Sequence, residues 1–167
     1  MNKILSREDL KERVAALKRE GKRIVFTNGC FDILHIGHVK YLEQAKGLGD
    51  ILVLALNSDS SVRSIKGPLR PIVPGDERAY IMASLDVVDY VTIFDENTPL
   101  ALIESIEPDI LVKGGDWSKE TVVGRESVEK RGGGGVIIPQ FNGTSADHPS
   151  STTSVIERIT NVYKKGS

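Results

Sequence analysis

Thr27-Asn28-Gly29-Cys30-Phe31-Asp32-Ile33-Leu34-His35-Ile36-Gly37-His38 lies between two segments of different periodicity. Before it, Arg23-Ile24-Val25-Phe26 is a short apolar run that reads as a buried strand. After it, Val39-Lys40-Tyr41-Leu42-Glu43-Gln44-Ala45-Lys46 reads as the start of an amphipathic helix. A strand, a glycine-containing turn and a helix N-terminus together make an anion site, because backbone N–H groups and the positive end of the helix dipole face one point. His35 and His38 are spaced to share a face of the first helical turn. Gly37 between them leaves room for a ligand to approach the backbone, and Lys40 adds an ammonium nearby. One histidine in such a place is commonly a packed structural residue. Two histidines around a glycine at a strand-to-helix turn point to a phosphate-handling site.

The strands and helices alternate outward from this stretch. Ser6-Arg7-Glu8-Asp9 has the form of a capping box, and Leu10, Val14 and Leu17 follow at helical spacing before Gly21. The first strand is placed near 23–28. The helix after the central loop closes at Gly47-Leu48-Gly49. Ile51-Leu52-Val53-Leu54-Ala55-Leu56 is a continuous apolar strand of the kind buried on both faces in a parallel sheet. It ends in Asn57-Ser58-Asp59, at the carboxyl edge where open α/β sheets bind ligands. Lys66-Gly67-Pro68-Leu69-Arg70-Pro71 is a proline-stiffened basic loop, readable as a plain connection or as a holder of a second anion.

Further along, a helix over about 75–85, a strand at 90–94, and a helix from Thr98-Pro99 to about Ile106 are expected. Asp109-Ile110-Leu111-Val112 is the fourth strand, with Lys113-Gly114-Gly115-Asp116-Trp117 at its carboxyl end. A helix near 122–131 ends in Gly132-Gly133-Gly134-Gly135, and Val136-Ile137-Ile138 is the fifth strand. A polar loop over 141–150 leads to Ser151-Thr152-Thr153, which opens a last helix carrying Val155, Ile156, Ile159 and Val162. The alternation predicts one doubly wound α/β domain over 1–167, a Rossmann-like five-stranded parallel sheet with helices on both faces. The polar signals then fall on one edge of that sheet and imply a single nucleotide cleft.

Composition narrows the class of function. The chain has 167 residues and a formal net charge of −1. That near-balance implies no general field for nucleic acid or a membrane surface. No apolar run approaches the roughly 20 residues that cross a bilayer. The early charges in Met1-Asn2-Lys3-Ile4-Leu5-Ser6-Arg7-Glu8 do not suit a signal peptide, so a cytoplasmic location is expected. Cys30 is the single cysteine, which excludes an intrachain disulfide framework.

Asn28-Gly29-Cys30-Phe31-Asp32 with His35-Ile36-Gly37-His38 resembles the signature of the cytidylyltransferase-like nucleotidyltransferases. Ser151-Thr152-Thr153-Ser154-Val155-Ile156 resembles that superfamily's second motif. Lys66-Gly67-Pro68-Leu69-Arg70-Pro71, Lys113-Gly114-Gly115-Asp116-Trp117 and Val123-Gly124 resemble its bacterial heptose 1-phosphate adenylyltransferase branch. The resemblance runs from about Ser6 to Ile159. The 141–150 loop, with His148-Pro149, is longer than that branch's usual approach to the Ser-Thr-Thr motif.

The resemblance implies transfer of AMP from ATP to a heptose 1-phosphate, with release of pyrophosphate. It implies Mg²⁺ with the ATP, a separate heptose kinase upstream, and a homodimer. Since the attacking phosphate oxygen is already anionic, catalysis reduces to positioning and charge stabilisation. His35, His38 and Lys40 take the catalytic role in that reading. Cys30 and Phe31 amides, Asp32, Lys113, Gly114, Asp116, Ser151, Thr152 and Thr153 are expected at the nucleotide, with Asp32 orienting the turn or helping to hold magnesium. Asn28, Asp59, Lys66 and Arg70 are expected at the acceptor. Cys30 is not expected to be a nucleophile, since no adjacent base is visible.

Other functions remain open on residues alone. Glycerol 3-phosphate cytidylyltransferase shares both motifs and uses CTP. A non-catalytic nucleotide sensor would need only the nucleotide half of the site. A class I aminoacyl-tRNA synthetase fragment shares the His-Ile-Gly-His tetrapeptide, but the chain is short for a tRNA-binding body and lacks a Lys-rich second motif. A redox dinucleotide enzyme is disfavoured because no G-x-G-x-x-G follows the first strand.

Overall fold

The computed structural model describes residues 2–115, 122–139, 141 and 150–165. Asp116, Trp117 and His148 lie outside these residues. Five strands, β1 (Ile24–Gly29), β2 (Ile51–Asn57), β3 (Tyr90–Phe94), β4 (Ile110–Gly114) and β5 (Gly134–Ile138), form one sheet in the order β3-β2-β1-β4-β5. Every pairing is parallel; Val25 lies opposite Leu52 on one side and Ile110 on the other. The expected doubly wound five-stranded parallel sheet is therefore present. The chain winds one way from β1 through β2 to β3 and the other way through β4 to β5. The crevice of a switch point then opens between the carboxyl ends of β1 and β4.

The strands bury both faces, and side chains alternate between two cores. Val25, Leu52, Leu54, Leu56 and Val112 meet α2 (Ile36–Lys46) and α4 (Gly75–Ala83) through Leu42, Ala45, Ala79 and Met82. Ile24, Phe26, Val53, Ala55 and Leu111 meet α1 (Arg7–Arg19), α5 (Leu100–Ile106) and α6 (Arg125–Lys130) through Leu10, Val14, Leu102, Ile103 and Val128. Fully buried residues such as Leu54 and Phe26 contribute about 1.5–3 kcal/mol each by leaving water.

Ser6 caps α1, its hydroxyl accepting from the Asp9 N–H at 3.1 Å. Other elements differ from the sequence expectation. Residues Asp59–Lys66 form a helix, α3, that the apolar pattern did not announce; Ser58 caps it by accepting from the Ser61 N–H. Gly134 and Gly135 belong to β5, paired with Ile110 and Leu111, and do not end the preceding helix. Thr98 does not cap α5: Pro99 stands at the cap with no side-chain hydrogen bond, and the helix begins at Leu100. Helix α4 stops at Ala83, before Leu85, and α6 covers only Arg125–Lys130 of the expected 122–131. The final helix, α7, spans Thr152–Lys165.

Candidate active site

The turn after β1 sets the site. Phe31 is in the left-handed region at φ 45°, an uncommon conformation for a side chain of its size, and its ring is buried. A Cβ at Gly29 would meet the Phe31 ring at 2.8 Å, so this reversal needs glycine. The chain then enters α2 with His35 at the N-cap position and no side-chain cap. The Ile36 and Gly37 amides of the first turn are left for a ligand.

His35 and His38 stack, with ring centroids 3.8 Å apart, and His38 also packs against Phe31 at 4.9 Å. A Cβ at Gly37 would lie 3.0 Å from the His35 ring and 3.1 Å from the Ser150 carbonyl oxygen. The glycine therefore lets the imidazole and the start of α7 come together. Both Nδ1 atoms are buried and have no hydrogen-bond partner among the described residues. Burial pushes the His35 pKa down, and burial with the charge of His35 pushes His38 down to about 3. Both rings are thus neutral near pH 7, each able to give one N–H and take one hydrogen bond.

A cleft of about 460 Å³ joins His35 and His38 to Asn28, Cys30, Lys66, Arg70, Lys113, Gly114 and the residues Ser151, Thr152 and Thr153. Asp32, the one carboxylate among its described residues, is buried and saturated. Asp32 accepts from the Val73 N–H at 2.8 Å, from the Ile72 N–H at 2.8 and 2.9 Å, and from Arg70 Nε at 2.5 Å. Burial opposes its ionisation, but the Val73 and Ile72 amides and the Arg70 guanidinium more than offset that and lower its pKa. With Arg70 Nε held on Asp32, Nη1 and Nη2 are its donors left for a ligand. The cleft is therefore cationic, with Lys66, Arg70 and Lys113 around a neutralised acid. Lys113 also reaches Asn28 Oδ1 at 3.4 Å, and burial lowers its pKa.

The α7 N-terminus closes the cleft. Ser151 Oγ accepts from the Ser154 N–H at 3.0 Å, and Ser154 Oγ donates to the Ser151 carbonyl at 2.9 Å. Ser151 caps the helix, which occupies one acceptor site of its hydroxyl. Thr152 and Thr153, with the open amides of the first turn, remain for an anion.

Three expected roles move. Lys40 is exposed, ion-paired with Glu43 at 2.8 Å, and does not line the cleft. Two residues beyond His38 in a helix is about 200° of rotation, which turns Lys40 away from the face His38 presents. Asp59 does not line the cleft, and its Oδ1 accepts from Arg78 Nη2 at 2.7 Å. Asp32 orients the turn and has no lone pair to spare for magnesium. Among the described residues no group of three His, Cys, Asp or Glu could hold a metal ion. Burial pushes the Cys30 thiol pKa up against the nearby Lys66, Arg78 and Arg70 charges, which disfavours a thiolate nucleophile.

Arg78 is the residue that sequence reading missed. Its side chain is fully buried. Nε donates to the Val73 carbonyl at 3.0 Å, and Nη1 donates to the Cys30 and Asn57 carbonyls at 2.6 and 2.9 Å. With Asp59 on Nη2, one guanidinium ties the exits of β1 and β2 to the start of α3 and to the loop before α4. The only sequence signal was an arginine on the inner face of an otherwise apolar helix turn, between Ala79 and Gly75.

The cytidylyltransferase-like family model matches residues 26–158, four-fifths of the chain. The chain belongs to this family. The cytidylyltransferase-like chain is 53% identical to the bifunctional protein HldE of Syntrophotalea carbinolica over 99% of its own length and 32% of that protein. It is 54% identical to the HldE of Geobacter sulfurreducens over 90% of its length and 29% of that protein. It thus spans about a third of the length of these curated relatives. A lipopolysaccharide core biosynthesis protein from Thermoplasma volcanium is similar in structure, with TM-score 0.61 and 31% identity over 72% of this chain and 98% of that one. Pantoate-beta-alanine ligase from Francisella tularensis shares the fold at TM-score 0.60 and 15% identity, covering 93% of this chain and 72% of that one. Among the described residues no helix is long and apolar enough to cross a membrane.

Proposed function

We propose that this chain is a heptose 1-phosphate adenylyltransferase, which joins ATP and a heptose 1-phosphate into ADP-heptose and pyrophosphate for lipopolysaccharide or surface-glycan precursors. The observation that carries it is the cationic cleft in which His35 and His38, whose Nδ1 atoms have no hydrogen-bond partner among the described residues, meet the N-terminus of α7. The branch motifs, the HldE relatives and the similarity to a lipopolysaccharide core biosynthesis protein support heptose as the sugar.

The β- and γ-phosphates of ATP lie at the α7 N-terminus, against Thr152, Thr153 and the open amides. The α-phosphate lies at the Cys30-Phe31 turn. An anionic oxygen of the sugar 1-phosphate attacks the α-phosphorus, and the bond from that phosphorus to the bridging oxygen of the β-phosphate breaks. Pyrophosphate leaves with the electron pair. No base is needed, because the nucleophile carries its charge already. His35 and His38 each give an N–H to oxygens that gain charge, in a site that holds these donors before the substrate arrives. Lys66 and the Arg70 Nη groups hold the acceptor phosphate against repulsion from ATP. Since Asp32, the one carboxylate among the cleft's described residues, is saturated, Mg²⁺ would enter with ATP and would supply neutralisation of phosphate charge. A heptose kinase supplies the sugar 1-phosphate, and the enzyme works in the cytoplasm as a homodimer.

Pyrophosphate release should be screened with each of the four NTPs against a panel of sugar and polyol phosphates. ATP with heptose 1-phosphate is expected to be the best pair. CTP with glycerol 3-phosphate as the best pair replaces this reading with a cytidylyltransferase. ATP binding without pyrophosphate release from any acceptor replaces it with a nucleotide sensor.

A further inference from the structure

A second cavity of about 360 Å³ opens beside the cleft and shares Asn28, Cys30, Lys66 and Lys113 with it as a neck. Beyond the neck it lies over the carboxyl ends of β2 and β4, between Ile65 of α3, the loop at Asn97-Thr98, and Val122-Val123. We propose that the polyhydroxylated body of the acceptor occupies this second cavity, and that Asn97, Thr98 and Val123 decide which acceptor is taken. This rests on the nucleotidyl-transfer reading of the adjoining cleft and adds the place and chemistry of its second substrate.

The chemistry of the two cavities differs in the required sense. The first is lined by the aromatic side chains of Phe31, Tyr41 and Phe141, of which the partly exposed Phe141 suits a nucleobase. The second has no aromatic among its described residues and presents amides and a hydroxyl on an aliphatic wall. Ligand pockets fix orientation through a few such polar groups on an apolar wall, and the hydroxyls of a polyol can both donate to and accept from amides and a hydroxyl. No carboxylate lines it among the described residues, so a phosphorylated ligand meets no repulsion there. Its volume is near the low end of the roughly 300–1,000 Å³ typical of ligand pockets, enough for one sugar and small for a nucleoside triphosphate.

The polar groups are held in place before any ligand arrives. Asn57 is buried and gives Nδ2 to Ser61 Oγ at 3.0 Å, which leaves Oδ1 as its accepting end. Ser61 Oγ in turn donates to the Glu96 carbonyl at 3.2 Å. Arg7 binds the Glu96 carboxylate through both terminal nitrogens. Asn97 and Thr98 therefore follow a residue, Glu96, that is held through both its carbonyl and its carboxylate, and that carboxylate is neutralised. A ligand with its phosphate at the neck and its body in the second cavity places the phosphate between Lys66 and the first cleft, where the α-phosphate of the nucleotide lies.

The test uses three variants at exposed positions, Val123→Trp, Asn97→Ala and Thr98→Val, in the full chain. The acceptor is the one that gives the fastest pyrophosphate release with the wild type. Val123→Trp, which fills the cavity, should raise the acceptor KM at least tenfold, and the other two should raise it three- to tenfold. The KM for ATP should stay within twofold in all three. Unchanged acceptor KM in Val123→Trp overturns the proposal. A raised ATP KM with unchanged acceptor KM also overturns it, since the cavity then belongs to the nucleotide. If the best wild-type acceptor is a phosphate other than heptose 1-phosphate, the heptose reading fails and the same variants still decide the cavity with that acceptor. If no acceptor gives pyrophosphate, both fall.

Discussion

Arg78 and Asp59 are joined by a 2.7 Å hydrogen bond from Nη2 to Oδ1, with the arginine side chain fully buried and the aspartate about one-third exposed. The asymmetry decides what each contributes. Arg78 also satisfies three carbonyls, those of Val73, Cys30 and Asn57, that no other side chain reaches among the described residues. Arg78→Met should therefore cost about 3–5 kcal/mol, the range for removing one partner of a buried ionic network. Asp59→Asn keeps an acceptor at a partly solvated position and should cost about 1 kcal/mol. Urea unfolding of both variants checks this; equal losses would show that the carbonyl contacts carry little.

His35→Ala and His38→Ala should each lower kcat by roughly 10²–10³-fold, the loss typical of one transition-state donor. The KM for ATP should change much less, because the α7 N-terminus and the turn amides still hold the phosphates. Steady-state pyrophosphate release measures both constants. Turnover near wild type in both variants would remove the histidines from the chemistry.

Thr153→Val removes a hydroxyl at the α7 N-terminus and keeps the side-chain shape. ATP affinity should fall by about 1–3 kcal/mol, the cost of an unmade polar contact. Ser151→Ala should act differently: with the cap contact to the Ser154 N–H lost, about 1 kcal/mol of helix stability goes and nucleotide contacts remain. Calorimetric titration with ATP separates the two.

Asp32 and Arg70 should be coupled. Asp32→Asn keeps acceptors for the Ile72 and Val73 amides and removes the charge that holds Arg70 Nε. Arg70→Lys removes the planar fork that reaches both Asp32 and a phosphate. Each should raise the acceptor KM with ATP binding intact. The double variant should fall short of the summed effects by about 0.5–3 kcal/mol, the range for residues in contact. Strict additivity in a double-mutant cycle would mean that Asp32 does not position Arg70.

Acid should weaken the fold in a window set by His38. Burial holds its folded pKa at about 3, against about 6.5 in an unfolded chain. Between those values the unfolded chain binds a proton that the folded protein refuses, so stability falls with falling pH. The contribution is complete above about pH 6.5 and is lost progressively toward about pH 3. The lowered pKa of Asp32 adds a further loss only below its unfolded value of 3.8. His38→Gln should reduce the stability difference between pH 7.5 and pH 5, measured by thermal unfolding at both.

The sheet and the cleft's location were legible in the chain because both rest on local order. A six-residue continuous apolar run such as Ile51–Leu56 is too short for a typical buried helix and fits a strand covered on two faces. A strand, a glycine turn and a helix start at 24–38 place an anion at the sheet edge whatever surrounds them. Ser151-Thr152-Thr153 likewise marks a helix start by residue type. Which side chains share the cleft was decided by tertiary structure alone. Helical phase turned Lys40 outward to Glu43, and no spacing rule brings Arg78 to carbonyls 21 and 48 residues away. Asp32 and Asp59 read as ligand groups, yet each spends its charge on an arginine. A buried carboxylate or guanidinium goes to whichever partner packing brings within reach, and that contact exists only once the chain has folded.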